Sequence, residues 1–451
     1  MGSKRHEVIV VGGGIAGLTA AHALRDRDVV LFEAEARVGG RIRSEPRGDV
    51  WLNLGAHVFG GPASDTGRLF AEVGIPTAPV PGRLAAVSLN GKLVASGPVE
   101  SFPFRLPMPW RSRLALVRTG IELRLAVRRY AAIAAPRPGE DPADRQRRML
   151  EFMDDRSFAE FTGALPEDVE LLFRSTLTRS SGEPEQLAAG YGVGYFHLVW
   201  SRESGLSHNV LGGPAVATDT LAATLGDRVR VGWRVTRVSR HRDGVEVEVE
   251  RDGGRQTIRA HAAIVATPAY VTRAIVDFLP SDTATALETI PYGPYVVGAF
   301  LTSEQRPMPW DGIYALATPR RSFSMLFNTA NVLRGRGLPR AHGGSFMVYA
   351  AAGFARRLDG LDDDAIRTRF LADLHELFPD ARGLVEELAI LRLEQGLPYP
   401  RVGRSRLQAA LTRSFGPILL AGDYLGTWYT ETSVQTGRSA ASAARRVLDG
   451  R

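Results

Sequence analysis

Residues Glu7 to Val11 form a short β-branched run that stops at Gly12, and from Gly14 to Leu24 small and apolar residues recur at helical spacing before Arg25 and Asp26. A second run, Val29 to Phe32, ends on Glu33. The order predicts strand, turn, helix, strand. The stretch between about 86 and 204 is generic, with a helix predicted over Trp110 to Ala134 and others after Asp155 and Pro166. Tyr191, Tyr195, His197 and Trp200 lie in a glycine-broken apolar run that suits a pocket wall and a packed core equally. Gly212-Gly213 precedes a helix over Leu221 to Leu225. Strands follow at Val229 to Val231 and Val235 to Ser239, then Val245 to Glu250 alternates strictly and turns at Asp252-Gly253-Gly254, predicting a half-solvated antiparallel meander. Ala262 to Ala266 is continuously apolar, as a strand buried on both faces would be. Runs at Tyr295 to Leu301, Ile313 to Ala317, Phe323 to Asn328 and Ser345 to Ala351 predict an antiparallel sheet, followed by a helix from Asp362 to Phe378. Near the end, Ile418 to Ala421 reads as a buried strand, and Thr432 opens a helix to about Leu448 with Thr432 to Gln435 as a capping box.

With 451 residues, 44% of them apolar and 23% charged, the chain has material for more than one core. The absence of cysteine excludes a disulfide scaffold, a thiol nucleophile and thiolate-held metal. Basic residues outnumber acidic ones by 56 to 49, for a net charge of +7, and Lys4 and Lys92 are the only lysines. The arginines are spread among acids rather than clustered with aromatics, so no nucleic-acid partner is expected. No apolar stretch is long enough to span a bilayer, and the basic start at Lys4-Arg5 is broken by glycines, so a cytoplasmic protein is expected. The helix around Arg111 to Arg129 is basic and amphipathic enough to touch an anionic membrane surface, but its apolar residues are expected to face the protein's own core. Asp362-Asp363-Asp364 is read as a favourable helix start rather than a metal site, and no metal is expected.

Gly12, Gly14 and Gly17 fall on G-x-G-x-x-G between the first strand and helix. The first glycine allows the tight turn, the second lets backbone approach a pyrophosphate, and the third packs helix on strand. The helix N-terminus offers its N–H groups to phosphates. Glu33, about 20 residues past Gly12, can accept hydrogen bonds from a ribose 2′-OH. A dinucleotide site is the expectation, and a glycine turn serving only packing is the alternative. Arg37-Val38-Gly39-Gly40-Arg41, directly beyond, resembles the R-x-G-G-R continuation of flavin amine oxidases, protoporphyrinogen oxidases and phytoene-type desaturases, and FAD is the cofactor this implies. Paired glycines let the chain pass close to such a cofactor, and an arginine beside them can neutralise its diphosphate.

Trp51 to His57 resembles the D-x-G-A-H segment of the same superfamily, whose Gly55-Ala56 backbone would lie against the flavin; Asn53 stands where an acidic residue is usual. The resemblance further implies that Val235 meets adenine through its backbone and that Thr267 and Gly422-Asp423 close strands beside the cofactor. Thr432, Ser433 and Val434 would open a helix aimed at the flavin pyrimidine carbonyl, and Gly437, Ala440, Ala441 and Ala444 would give it one small face. The implied fold is α/β. A discontinuous Rossmann-like FAD-binding domain of parallel sheet and β-meander takes 1–85, 205–285 and 385–451, and an α+β substrate-binding domain of antiparallel sheet and helices takes 86–204 and 286–384.

Monoamine oxidases flank the flavin face with two aromatic rings; Tyr429 falls on one of those positions and Tyr399 lies in the segment carrying the other, although either tyrosine would also serve as core. His57 is expected beside the flavin, orienting substrate or acting as acid/base near neutral pH, or else simply bonding backbone. The lysine that these oxidases use in their reaction with oxygen is replaced by Val297, which resembles the desaturases more. The implied activity is hydride transfer from a substrate C–N bond to flavin N5, giving an imine, with O2 reoxidising the flavin to yield H2O2. The substrate would be a small to medium organic molecule, such as a lipophilic amine or specialised metabolite. A C–C dehydrogenase like protoporphyrinogen oxidase or phytoene desaturase, with a quinone acceptor, and a redox-neutral flavin-dependent isomerase stay open.

Overall fold

A computed structural model of the chain describes residues 5–81, 86–200, 206–334, 343–427 and 429–450. Strand β1 (His6–Val11), helix α1 (Ile15–Ala23) and strand β2 (Val29–Glu33) form where the pattern predicts them. β1 is the centre of a parallel array. β2 lies on one side of it and the strand Gly254–Val265 on the other, with Val229–Val231 beyond β2 and Ile418–Leu420 beyond the far strand. Being parallel, these strands end on one edge, so the loops after Val11, Glu33, Val265 and Leu420 meet there. That edge is where parallel sheets bind ligands.

Two details differ from the pattern. Val229–Val231 pairs in parallel with β2 instead of joining the meander. The meander's last strand and the buried run that starts at Ala262 are one strand, Gly254–Val265: its first half pairs antiparallel with Gly244–Arg251, and its second half, buried throughout from Ala262 to Val265, pairs in parallel with β1 and Ile418–Leu420. The polar-alternating half and the apolar half therefore look unlike in sequence because only one of them is covered on both faces.

A second sheet runs in the order Val385–Pro398, Tyr292–Thr302, Gly344–Ala351, Met325–Asn328, Ala315–Ala317, Ala86–Leu89 and Lys92–Val94. Its pairs are antiparallel except for Ala315–Ala317 with Ala86–Leu89. The expected boundary at 385 thus assigns an edge strand of this sheet to the wrong side. Leu388 and Ile390 of that strand pack toward the helix Asp363–Leu377, while Ala389, Leu391 and Leu393 alternate onto the opposite face. The boundary at 285 falls inside the helix Ser281–Thr289, and those at 85 and 205 lie outside the described residues. Asp362 caps the helix after it by accepting from the Ala365 N–H at 2.8 Å, the favourable start expected there.

The face holding Tyr295, Val297, Phe327, Met347 and Tyr349 packs on Trp51 and Leu52 of the strand Val50–Asn53, which joins the second sheet to the first unit. Helices Trp110–Ala134, Glu167–Leu177 and Ala189–Trp200 form a third cluster around Tyr130, Phe158, Phe173 and Leu187. The glycine-broken run is therefore a helix, with Tyr191 and Tyr195 buried in it. On Trp110–Ala134, Leu123 and Tyr130 face this cluster, but Trp110, Leu114, Ile121 and Leu125 are exposed, contrary to the expectation that the apolar residues turn inward. No helix among the described residues is long and apolar enough to cross a membrane.

Candidate active site

At the carboxyl edge of the parallel sheet the two glycine turns are tied together. Gly39 N–H donates to the Gly13 carbonyl at 2.8 Å. Gly12 has φ +102°, and a Cβ on it would stand 2.9 Å from the Ala266 carbonyl oxygen; one on Gly17 would stand 2.0 Å from the Gly12 carbonyl oxygen, so the first and third glycines are required by the protein's own packing. Gly14 differs. A Cβ there meets nothing within 4 Å, and one on Gly40 meets only Gly14 Cα at 3.8 Å. These two glycines bound an open cradle at the start of α1, shaped for backbone to approach a bound group. Glu33 lies beside it, its Oε2 accepting from Gly13 N–H at 2.6 Å and its Oε1 from Glu35 N–H at 2.8 Å. Thr267 rests against Gly12, and Val235 is the second residue of the meander strand Arg234–His241, which follows Trp233, whose N–H bonds the Glu33 carbonyl.

The arginines do not stand free for a diphosphate as expected. Arg37 turns back on its own loop, donating to the Val38 and Gly40 carbonyls. Arg41 pairs with both Asp423 oxygens, at 2.8 and 3.0 Å, and donates to the Gly396 carbonyl, so it links three distant segments. Gly422, at φ +147°, donates its N–H to Thr436 Oγ1 at 3.0 Å. The closing helix is Tyr429–Asp449, so Thr432 and Val434 are buried inside it and do not open it. Glu431 instead accepts from the Asp65 and Thr66 N–H groups, and Gln435 donates to Asp65, anchoring the helix to its neighbour Asp65–Glu72. The small face does what was expected of it: a Cβ on Gly437 would stand 2.4 Å from the Ala16 carbonyl oxygen, where this helix crosses α1.

Gly55 and Ala56 run against the Arg41 turn, Ala56 N–H donating to the Arg41 carbonyl, and a Cβ on Gly55 would lie 2.2 Å from that oxygen. Asn53 is wholly buried and donates to the Gly55 carbonyl and to Met347 Sδ. His57 is 4% exposed, edge-on to Phe327 at 4.6 Å, with its Nε2 unpartnered. Burial foremost, and the nearby Arg179 cation, lower its pKa to about 3. That value keeps the imidazole neutral near pH 7, which disfavours an acid/base role there. Unfolded, the imidazole takes a proton near pH 6.5; folded, it does not until about 3, so stability present above pH 6.5 is lost as the pH falls through that window. His57→Gln is expected to flatten the acid limb of the urea midpoint and to leave the pH profile of kcat/KM unchanged near 6.5; a pH-rate limb that vanished in the variant would restore the acid/base role.

Tyr429 has a left-handed backbone, φ +41°, and its hydroxyl lies 2.9 Å from Ser180 Oγ; burial pushes its phenol up to about 12. Tyr399 is not its facing partner across a wide space. The Tyr399 ring packs within the helical cluster near Leu187, and it shares with Tyr429 only a void of about 10 Å³. The aromatic group near Tyr429 comes instead from the second sheet: Tyr295 and Tyr349, centroids 5.5 Å apart, and Phe327, stacked on Tyr349 at 5.6 Å. Val297, paired with Tyr349 across the sheet, belongs to the same apolar layer. A cavity of about 1410 Å³ reaches this region through Arg179 and Tyr195, lined otherwise mainly by apolar residues such as Leu116, Val117, Phe173 and Phe196. Sequence reasoning missed Arg179, Tyr295, Phe327 and Tyr349; strand alternation at 295, 297 and 299 was the one signal available for the sheet face.

The model of the family described as Flavin containing amine oxidoreductase matches residues 15–448. This chain belongs to that family. Among relatives of the flavin amine oxidoreductase, an amine oxidase [flavin-containing] A of Equus caballus is 26% identical over 308 residues, covering 65% of this chain and 56% of that one. An amine oxidase [flavin-containing] of Oncorhynchus mykiss is 26% identical over 279 residues, covering 58% and 50%. The chain spans about half the length of the curated relatives it matches. Among solved structures, a cyclohexylamine oxidase from Brevibacterium oxydans IH-35A superposes with a TM-score of 0.79 at 20% identity over 99% of this chain and 100% of that one, and a putrescine oxidase bound to putrescine with 0.78 at 20% over the same shares, which establishes the shared fold. The cofactor of this flavin amine oxidoreductase is FAD, and the cradle at Gly14 and Gly40, with Glu33 beside it, fits such a group.

Proposed function

We propose that this chain is an FAD-dependent oxidase that dehydrogenates a C–N bond of a small to medium organic substrate to an imine. The observation that carries this reading is the aromatic group of Tyr295, Phe327 and Tyr349 gathered near Tyr429, the first residue of the closing helix, with a large, mainly apolar cavity reaching it through Arg179 and Tyr195. Bound FAD would supply the hydride acceptor at N5 and deliver the electrons onward to O2, releasing H2O2. The glycine turns and Glu33 would hold its dinucleotide half, and Gly55-Ala56 and the start of the closing helix would border the ring. The chain's own part is to exclude water and to disfavour the ammonium form by burial, leaving the neutral amine from which hydride can depart.

The apolar Val297, in a layer that contains no lysine, and the volume of the cavity favour a second reading, a C–C dehydrogenase of an apolar substrate with a quinone as acceptor. Anaerobic stopped-flow mixing of the yellow protein with amines, amino acids and polyenes separates the two. Amines or amino acids are expected to bleach the flavin absorbance, and readmitted O2 to restore it with about one H2O2 per turnover. Bleaching by polyenes alone would move the assignment to the second reading, and a flavin that no reductant in either set bleaches would remove both.

A further inference from the structure

The cavity contains a positive charge that no described residue neutralises. Of its charged lining residues, Glu100 and Arg124 pair with each other. His208 bonds Ser207, and burial lowers its pKa, leaving it neutral near pH 7. Arg179 remains. Its guanidinium has one hydrogen bond among the described residues, Nη1 to the neutral Tyr195 hydroxyl at 3.3 Å, and lies 5.1 Å over the Phe327 ring. No carboxylate of the described residues pairs with it.

Three other partly buried arginines are treated differently, although the buried Arg404 shares the lack of an ion pair among the described residues and donates to the Tyr424 carbonyl. Arg41 has Asp423; Arg174 has Glu170, Glu183 and Glu185; Arg334 has Glu304 and Asp311. An arginine is always charged, and holding that charge away from water without a counter-charge is costly. The backbone nevertheless holds Arg179 in place. It sits in the 3-10 turn Thr178–Ser180, closed by Ser181 at φ +70°, and its carbonyl accepts the Tyr295 hydroxyl. Nearby, Tyr349 is 3% exposed and its hydroxyl has no partner among the described residues. A guanidinium with spare donors, in a mainly apolar cavity whose one described carboxylate, Glu100, is already paired with Arg124, suits a ligand that brings its own acceptor oxygens.

We propose that the substrate carries a carboxylate and that Arg179 binds it, so that the preferred class is an amino acid or other acidic amine with an apolar body. Such a substrate fits both parts of the cavity: the anion meets the arginine, the side chain meets Leu116, Val117, Phe173 and Phe196. The same cation also disfavours an ammonium beside it, which would exclude diamines while sparing the neutral amino group.

The inference rests on the amine reading above, and its test is chosen to fail separately. Calorimetric titration of the holoenzyme compares benzoate with its neutral isostere benzamide. Benzoate is expected to bind about 30-fold more tightly in the parent; Arg179→Met removes the difference and leaves benzamide unchanged, and Arg179→Lys keeps part of it. Equal affinities in the parent, or a benzoate preference that survives in Arg179→Met, overturns the proposal. In parallel, phenylalanine is expected to reduce the flavin with a higher kcat/KM than 2-phenylethylamine, the order reversing in Arg179→Met mainly through KM. A parent enzyme that prefers 2-phenylethylamine sinks the anion site and leaves amine oxidation standing; Arg179-dependent benzoate binding without reduction by any amine does the opposite.

Discussion

Gly14→Val is expected to yield a folded, soluble and colourless protein. The backbone at Gly14, φ −70° and ψ 172°, is open to any L-residue, and an added Cβ meets no protein atom within 4 Å. The apoprotein's unfolding temperature should therefore match the parent's. The space the new side chain fills is the one assigned to the pyrophosphate, and overpacking of about 1–3 kcal/mol corresponds to roughly 5- to 150-fold weaker FAD binding. Gly17→Ala is the contrast: its Cβ would lie 2.0 Å from the Gly12 carbonyl oxygen, so stability falls whether or not cofactor is present. Calorimetry of both apoproteins with an absorbance titration of FAD checks the pair. A Gly14→Val protein that takes up FAD like the parent would show that the cofactor lies elsewhere.

Asp423→Ala is expected to cost stability even without cofactor. Asp423 is 6% exposed and Arg41 30%, so removing the carboxylate strands a partly buried cation, at about 2–3 kcal/mol after allowance for solvent screening. Pairing it with Arg41→Met should recover most of the loss, because no charge is then left alone. Urea midpoints of the apoproteins measure both effects. Were Arg41 chiefly a diphosphate ligand, Arg41→Met would leave the apoprotein's midpoint untouched and lower FAD affinity alone.

The local parts of the fold were legible. β1, α1, β2 and the Trp110–Ala134 helix could be read directly because each has one dominant periodicity and is bounded by glycine, proline or charge. Legibility stopped where a residue's environment is made by distant chain. The strand Val385–Pro398 carries charged positions that look solvated, and only its pairing with Tyr292–Thr302 reveals its sheet. The start of the closing helix was misplaced because Thr432 and Gln435 fit a cap, whereas Glu431 and Gln435 reach across to Asp65 and Thr66. The site divided the same way. The glycines announce themselves through spacing, but Arg179 is one of many arginines in sequence, and its want of a counter-charge exists only in three dimensions.

The strand Gly254–Val265 is bonded along its second half to β1 from the start of the chain and to Ile418–Leu420 from near its finish. A nascent polypeptide consequently cannot complete the cofactor crevice as it leaves the ribosome. More than 400 residues must emerge before the last parallel strand and the helix behind it arrive. Long-range closure of this kind is slow and exposes unpaired strand edges meanwhile. Dinucleotide present during synthesis is therefore expected to raise the share of chains that reach the folded state.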